Sequence, residues 1–178
     1  VPLSILIGGT YRNKVEVRQS IGMDKPEVMA EKAKYFVEKK GFQSLKLKLG
    51  IDPAHDVVRI AAVKEAVGPN IPISVDLNTG YSRTTARTLL KRMEEYHLTM
   101  IEQPLREWDL KGMAELRQLL RTPLMVDESV TDWHDVVAII RERAADVINI
   151  KIQKLGGIFP SLKAAAIAEG AGFSVCVG

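Results

Sequence analysis

The sequence predicts an α/β protein built as a (β/α) TIM-type barrel. Two observations carry that expectation. Strand-like and helix-like segments alternate along almost the whole chain, with successive strands about 20 to 30 residues apart. Such a series implies parallel strands, because a helical crossover returns the chain to the same edge of the sheet. Several strands also alternate apolar with charged residues, most clearly "SLKLKLG" at 44–50. In a parallel sheet covered by helices no face is left to bulk water. Leu45, Leu47 and Leu49 therefore face helices, and Lys46 and Lys48 point into the barrel near its C-terminal mouth, where barrel enzymes keep their chemistry. A doubly wound open sheet fits the same rhythm. Its nucleotide-binding form loses support, because Ser20–Asp24 is no dinucleotide fingerprint and Gly8-Gly9 is no phosphate loop.

The strands are expected at Val15–Ile21, Ser44–Leu49, Ile73–Asn78, Thr99–Gln103, Leu124–Glu128, Val147–Gln153 and Phe173–Val177. The helices between them have readable starts. Asp24 with Pro26 opens the first, and Gly41 closes it. Pro53 opens the second, which ends near Gly68-Pro69. Ser82, Asp109 and Thr131 or Asp132 are the expected caps of the next three. An alanine-rich helix at about Ile158–Glu169 ends at Gly170.

Composition narrows the class. The 178 residues are enough for one domain with a sizeable core, at 46% hydrophobic and 26% charged. A net charge of +3, with acids and bases interspersed, gives no reason to expect nucleic acid. The lone Cys176 excludes an internal disulfide and reads as a buried strand thiol. No apolar run reaches the roughly 18 residues of a membrane span. No secretion signal is visible, so a cytoplasmic protein is the expectation.

The polar inner face repeats. In "VINIKIQKLGG", Asn149, Lys151 and Gln153 alternate with isoleucines. Asp76 and Asn78 share one face of "ISVDLNTG". Glu102 ends "MIE", and Asp127 ends "LMVD". Each acid follows an apolar run, where a lone carboxylate is expensive to bury. Three gathered carboxylates repel one another unless a cation sits among them, and oxygen-only ligands suit Mg²⁺ or Mn²⁺.

The ordered set resembles the enolase superfamily, and within it the muconate-lactonizing-enzyme subgroup. The matching segments are "KLK" (46–48), "DLN" (76–78), "IEQPL" (101–105), "VDES" (126–129) and "NIKIQKLGG" (149–157). The resemblance covers essentially the whole chain. It implies a modified (β/α)₇β barrel in which Asp76, Glu102 and Asp127 bind Mg²⁺, with Mn²⁺ as a substitute. It also implies that Lys48 and Lys151 act as acid/base residues on opposite faces of a small carboxylate substrate. The chemistry is removal of the proton α to the carboxylate, giving an enediolate whose charge the metal stabilises. The base must be neutral, and Lys46 on the same face favours that by like-charge repulsion, or contacts the substrate carboxylate.

Racemisation or epimerisation of an N-acylamino acid, dipeptide or similar carboxylate is the favoured reading. A muconate-type cycloisomerase and a dehydratase share the same intermediate. The rival from another class is a non-catalytic barrel that binds a metabolite. Asn78, Gln153 and Ser20 are candidate substrate or supporting contacts. Lys154 lies off the inner face and reads as structural; Glu128 and Asp146 read as solvated or capping. His55, His97 and His134 fall away from the strand ends.

The expected organisation is a joining segment at 1–14 and a barrel at 15–178 that stops at strand seven. The family's eighth strand and N-terminal capping domain are absent from the chain. A homo-oligomer is expected for the longer protein, with no nucleic-acid or membrane partner.

Overall fold

The computed structural model describes residues 1–178. Seven strands follow one another as β1 (Gln19–Ile21), β2 (Leu45–Lys48), β3 (Ile73–Asp76), β4 (Met100–Glu102), β5 (Leu124–Val126), β6 (Val147–Ile150) and β7 (Ser174–Val177). A short helix, α1 (Leu3–Leu6), precedes them. The crossover helices are α2 (Pro26–Lys40), α3 (Pro53–Val67), α4 (Arg83–Met93), α5 (Leu110–Leu119), α6 (Trp133–Glu142) and α7 (Ile158–Gly170). The strands form one sheet in sequence order, every neighbouring pair parallel. The sheet curls as a section of a (β/α) barrel, with β1 and β7 each paired on one side only.

The alternation of "LKLK" decides which side packs. Leu45 and Leu47 are fully buried with Ile73, Val75, Ile101, Leu124, Val126 and Ile148 in one core shared with the helices. Met29, Ile60, Leu90, Met113 and Val136 reach that core from α2 to α6. The opposite, inner face carries the polar set. Buried Ser74, Met100 and Met125 also lie on it, outside the helix-facing core.

The helix signals act as their chemistry dictates. Ser82 accepts from the Thr85 amide, and Asp109 from that of Gly112. Asp132 and Asp135 form a reciprocal capping box, which satisfies amides that lack helical partners. Gly41 takes the left-handed conformation that ends α2, with φ 73°. Asp24 departs from expectation: Lys25 occupies the cap position of α2, and the Asp24 carboxylate accepts the Lys25 amide.

Three readings are corrected. The first strand begins at Gln19 rather than Val15; Val15 and Val17 are 73% and 67% exposed, so their alternation has nothing to pack against. The sixth strand ends at Ile150. The amides of Lys154 and Leu155 both bond to the Lys151 carbonyl, the chain coils into a turn, and Ile152 is left 45% exposed. Cys176 is half-buried, because β7 has a neighbour on one side only.

Candidate active site

Register assembles the site before any side chain is considered. Lys48 on β2 pairs with Asp76 on β3, and Asp76 pairs with Glu102 on β4. Glu102 pairs with Met125 on β5, and Asp127 follows two residues on, on the same face by the strand period. Asn149 lies on the inner face of β6, and Lys151 follows that strand. Three neighbouring strands thus deliver an acid each, between lysines from β2 and from the end of β6.

The acid side chains are almost sealed, at 1 to 2% exposed, and each meets a lysine. Lys48 Nζ lies 2.6 Å from Asp76 Oδ2 and donates to Asn78 Oδ1 at 3.0 Å. Lys46 Nζ lies 3.0 Å from Glu102 Oε2 and 3.6 Å from Asp76 Oδ2. Lys151 pairs with Asp127 Oδ2. Lys154 lies 2.5 Å from Asp127 Oδ1 and also bonds the Asp127 carbonyl. Asn149 Nδ2 donates to Glu102 Oε1 at 3.0 Å.

The electrostatics are uneven across this row. Burial, and then the charge of Asp76, hold Glu102 above the ordinary carboxylate range, and Lys46 does not compensate. Asp127 goes the other way: burial raises it, but hydrogen bonds from Lys151 and Lys154 outweigh burial and lower it. Lys151 is raised in turn; burial works against its charge, and Asp127 more than restores it.

No three carboxylate, histidine or cysteine side chains close around one point, because each acid is turned toward a lysine. The donor set nevertheless fits a hard divalent cation. It is all oxygen, it comes from three adjacent strands, and Glu102 sits where negative charge is in excess. Beside Glu102, the Asn149 Oδ1 acceptor is buried without a partner.

Asn78 is brought into the cluster. Its backbone is left-handed, with φ 41°, and it links Lys48 to Glu128 through its two amide atoms. Ser20 shares the inner face, in register with Lys46, and is exposed without a side-chain hydrogen bond. Gln153 is not brought in; it lies exposed in the turn after β6.

Sequence reasoning missed four contributors. Lys154 reaches Asp127 because the turn after β6 breaks the alternation that had placed it off the face. Asn149 was visible in the alternation but carried no charge to draw notice. Glu128 accepts from Asn78, and Gln103 binds the Asp127 amide; neither contact has a local sequence signal. Asp146, read as solvated or capping, accepts from the Leu124 amide and Arg117 on the outer side. The surface cavity of about 500 Å³ beside Arg83, Trp108 and Arg141 holds none of the site residues. The charged row, not concavity, marks this site.

Comparison with known proteins agrees with this geometry. A model of the enolase C-terminal domain-like family matches residues 28–178. The N-succinyl-L-Arg/Lys racemase of Bacillus cereus is 41% identical over 99% of this chain and 48% of its own length. A crystal structure of N-succinyl Arg/Lys racemase from that species matches with a TM-score of 0.96 over 99% of this chain and 48% of that one. The hydrophobic dipeptide epimerase of Enterococcus faecalis is 37% identical over 100% of this chain and 50% of its own length. A dipeptide epimerase structure from that species, complexed with Mg and L-Leu-L-Tyr, matches with a TM-score of 0.95 over 99% of this chain and 49% of that one. Muconate cycloisomerase 1 of Rhodococcus opacus is 38% identical over 98% of this chain and 47% of its own length. The chain spans about half the length of these curated relatives. With a matching family model over most of its residues and the acid–lysine row on its inner face, the chain belongs to the enolase C-terminal domain-like family.

Proposed function

We propose that this chain supplies the catalytic barrel of a Mg²⁺-dependent isomerase that removes and returns the proton α to a carboxylate. The favoured substrates are N-acylamino acids and dipeptides, which the protein racemises or epimerises through an enediolate. The observation that carries the reading is the placement of Lys48 and Lys151. They come from opposite ends of a row whose middle three strands hold Asp76, Glu102 and Asp127.

In this reading Asp76, Glu102 and Asp127 hold the cation. A bound divalent ion supplies positive charge where the carboxylate oxygens gain negative charge. Lys48 takes the α-proton from one side of the substrate, and Lys151 returns one from the other. Lys46 balances Glu102 and also Asp76, the acid that Lys48 touches. Asn78 holds the Lys48 ammonium in place through its Oδ1. Ser20, exposed on the inner face, is placed to touch substrate; Gln153 does so only if the turn after β6 folds inward.

The relatives named as racemase and epimerase support this reading, and so does the epimerase structure that contains Mg and a dipeptide. No helix is long and apolar enough to cross a membrane. A cytoplasmic homo-oligomer acting on small carboxylates, with neither nucleic acid nor membrane as partner, completes the proposal. Residues 1–14 are read as the segment leading into the barrel at 15–178.

The test is exchange of the α-proton for solvent deuterium, in the protein that carries this chain, across N-acylamino acids, dipeptides and muconate-like diacids. Mg²⁺-dependent exchange with inversion at carbon is the expected result. Exchange without inversion removes the two-base version, and no exchange on any member overturns the reading. The identity with Rhodococcus muconate cycloisomerase favours one second reading, cycloisomerisation. Lactone interconversion of a diacid in the same panel would move the assignment there.

A further inference from the structure

We propose that Gln103 is a positioning residue whose side-chain amide sets the backbone from which Asp127 projects. The inference rests on the reading of Asp127 as a cation ligand. Gln103 directly follows Glu102 and is fully buried. Its φ is 37°, in the left-handed region that side chains other than glycine rarely adopt. That conformation turns the residue out of the β4 alternation and aims its side chain toward the end of β5.

All four hydrogen-bonding positions of the amide are used there. Oε1 accepts from the Asp127 amide at 2.8 Å and from the Ser129 amide at 3.3 Å. Nε2 donates to the Leu105 carbonyl at 3.0 Å and to Ser129 Oγ at 2.9 Å. Ser129 Oγ in turn donates its O–H to the Glu107 carbonyl at 2.9 Å. The main chain of Gln103 is also pinned. Its N–H donates to the Met125 carbonyl at 2.9 Å, and its carbonyl accepts from the Thr79 amide at 2.8 Å.

The Asp127 amide lies one residue past the end of β5, beyond the paired ladder. Gln103 Oε1 is its hydrogen-bond partner, and a buried N–H without one is strongly disfavoured. A glutamate at 103 would keep the acceptors and lose both donors, setting a carboxylate against the Leu105 carbonyl. A methionine would fill the volume and bond nothing. In both cases the loop 127–129 loses its reference point, and the Asp127 carboxylate moves with it.

The experiment compares Gln103→Glu, Gln103→Met and Ser129→Ala with the unsubstituted protein. Two quantities are read: Mn²⁺ affinity by electron paramagnetic resonance, and hydrogen exchange of the Asp127 amide by NMR. Both Gln103 variants are expected to weaken Mn²⁺ binding about 10- to 100-fold, the usual loss when a residue orienting a ligand is removed. Their Asp127 amide exchanges faster. Ser129→Ala keeps the bond from the Asp127 amide to Gln103 Oε1 but strands one Nε2 donor, so it is expected to shift both readouts less than either Gln103 variant. Unchanged Mn²⁺ affinity alongside a faster Asp127 amide in the Gln103 variants overturns the inference. An unprotected Asp127 amide in the unsubstituted protein overturns it whether or not the variants fold. If the unsubstituted protein binds no Mn²⁺, the proposed function falls, and amide exchange still decides whether Gln103 holds the Asp127 backbone.

Discussion

On the outer side of β2 and β3, Asp56, Arg59 and Tyr81 form a buried polar cluster. On the inner side of the sheet, Asp76 on β3 and Glu102 on the neighbouring β4 belong to another. The outer cluster is closed. The Asp56 carboxylate accepts from the Gly50 amide at 2.9 Å, Tyr81 Oη at 2.7 Å and Arg59 at 2.9 Å. Arg59 also donates to the carbonyls of Asp24 and Asp52 and to the Asp52 carboxylate. Burial, and then the hydrogen bond to Asp56, hold the Tyr81 phenol far above its ordinary pKa, so it stays a donor. Three loops, after β1, β2 and β3, are tied by groups whose needs are all met.

The inner set is open by contrast. Lys46 is shared between two acids, Glu102 is raised by burial and by Asp76, and buried acceptors on Asn149 and Glu128 have no partner. A satisfied buried network is architecture; an unsatisfied one with shifted titration is a place where something else binds.

Substitutions break or sharpen this contrast in order of their effect on stability. The largest effect is expected from Arg59→Met, which leaves Asp56 charged and buried. Removing one partner of a buried pair costs about 3–5 kcal/mol. Urea unfolding should show that loss, while Mn²⁺ affinity of the folded fraction holds. A loss below about 1 kcal/mol would mean the outer cluster is no brace.

Gly50→Ala comes next. A Cβ there would lie 2.3 Å from the Leu77 carbonyl oxygen, and φ is 101°. The expected cost is about 1–3 kcal/mol or more, since backbone cannot move aside as a side chain can. A thermal midpoint equal to that of the unsubstituted protein would contradict the packing of these two loops.

A smaller effect is expected at Arg83 and Asp109, an ion pair near the surface. Asp109 is lowered, first by its hydrogen bond from Arg83 and further by the Gly112 amide. A carboxyl with a depressed folded pKa stabilises above its unfolded value, and that contribution is lost as pH falls through the folded value. Arg83→Met should therefore cost less than about 1 kcal/mol at neutral pH. The gap between the two proteins should close below roughly pH 4, where carboxylates begin to protonate. A gap that widens toward acid would reverse the assignment.

The two clusters were not equally legible in the sequence. The inner one was visible because strand period writes it into the chain: Lys46, Lys48, Asp76, Glu102 and Asp127 sit at fixed offsets on faces that helices cannot cover. The barrel rhythm and most helix caps were visible for the same reason, since each depends on residues close in sequence. Where the structure departs, local pattern no longer controls the outcome. Gln153 continues the "INIKIQ" alternation on paper, but hydrogen bonds back to Lys151 end the strand before it. Those bonds also bring Lys154 to Asp127. Asp56, Arg59 and Tyr81 were illegible because an acid and an arginine three residues apart on a helix read as a surface pair. Only the fold shows that Tyr81 and Gly50 close over them.

The smallest change in stability is expected at the centre of the site, from Glu102→Gln, and that is what makes it the sharpest comparison. Glutamine keeps an acceptor for Asn149, and Lys46 keeps Asp76 within 3.6 Å. The charge it removes is one that burial and Asp76 already oppose. Lys46 exchanges its hydrogen bond to Oε2 for the nearby charge of Asp76, so folding stability should stay within about 1 kcal/mol of the original, about the net worth of one hydrogen bond. Cation binding should not survive, because a neutral amide replaces one of the three carboxylates proposed to hold a divalent ion. Urea unfolding and a Mn²⁺ titration on the same protein read both quantities. Stability held with binding lost would show that this charge serves a ligand and not the fold. A destabilisation as large as that of Arg59→Met, with Mn²⁺ affinity intact, would make the inner row a second brace, and the contrast between the two faces of β2 and β3 would disappear.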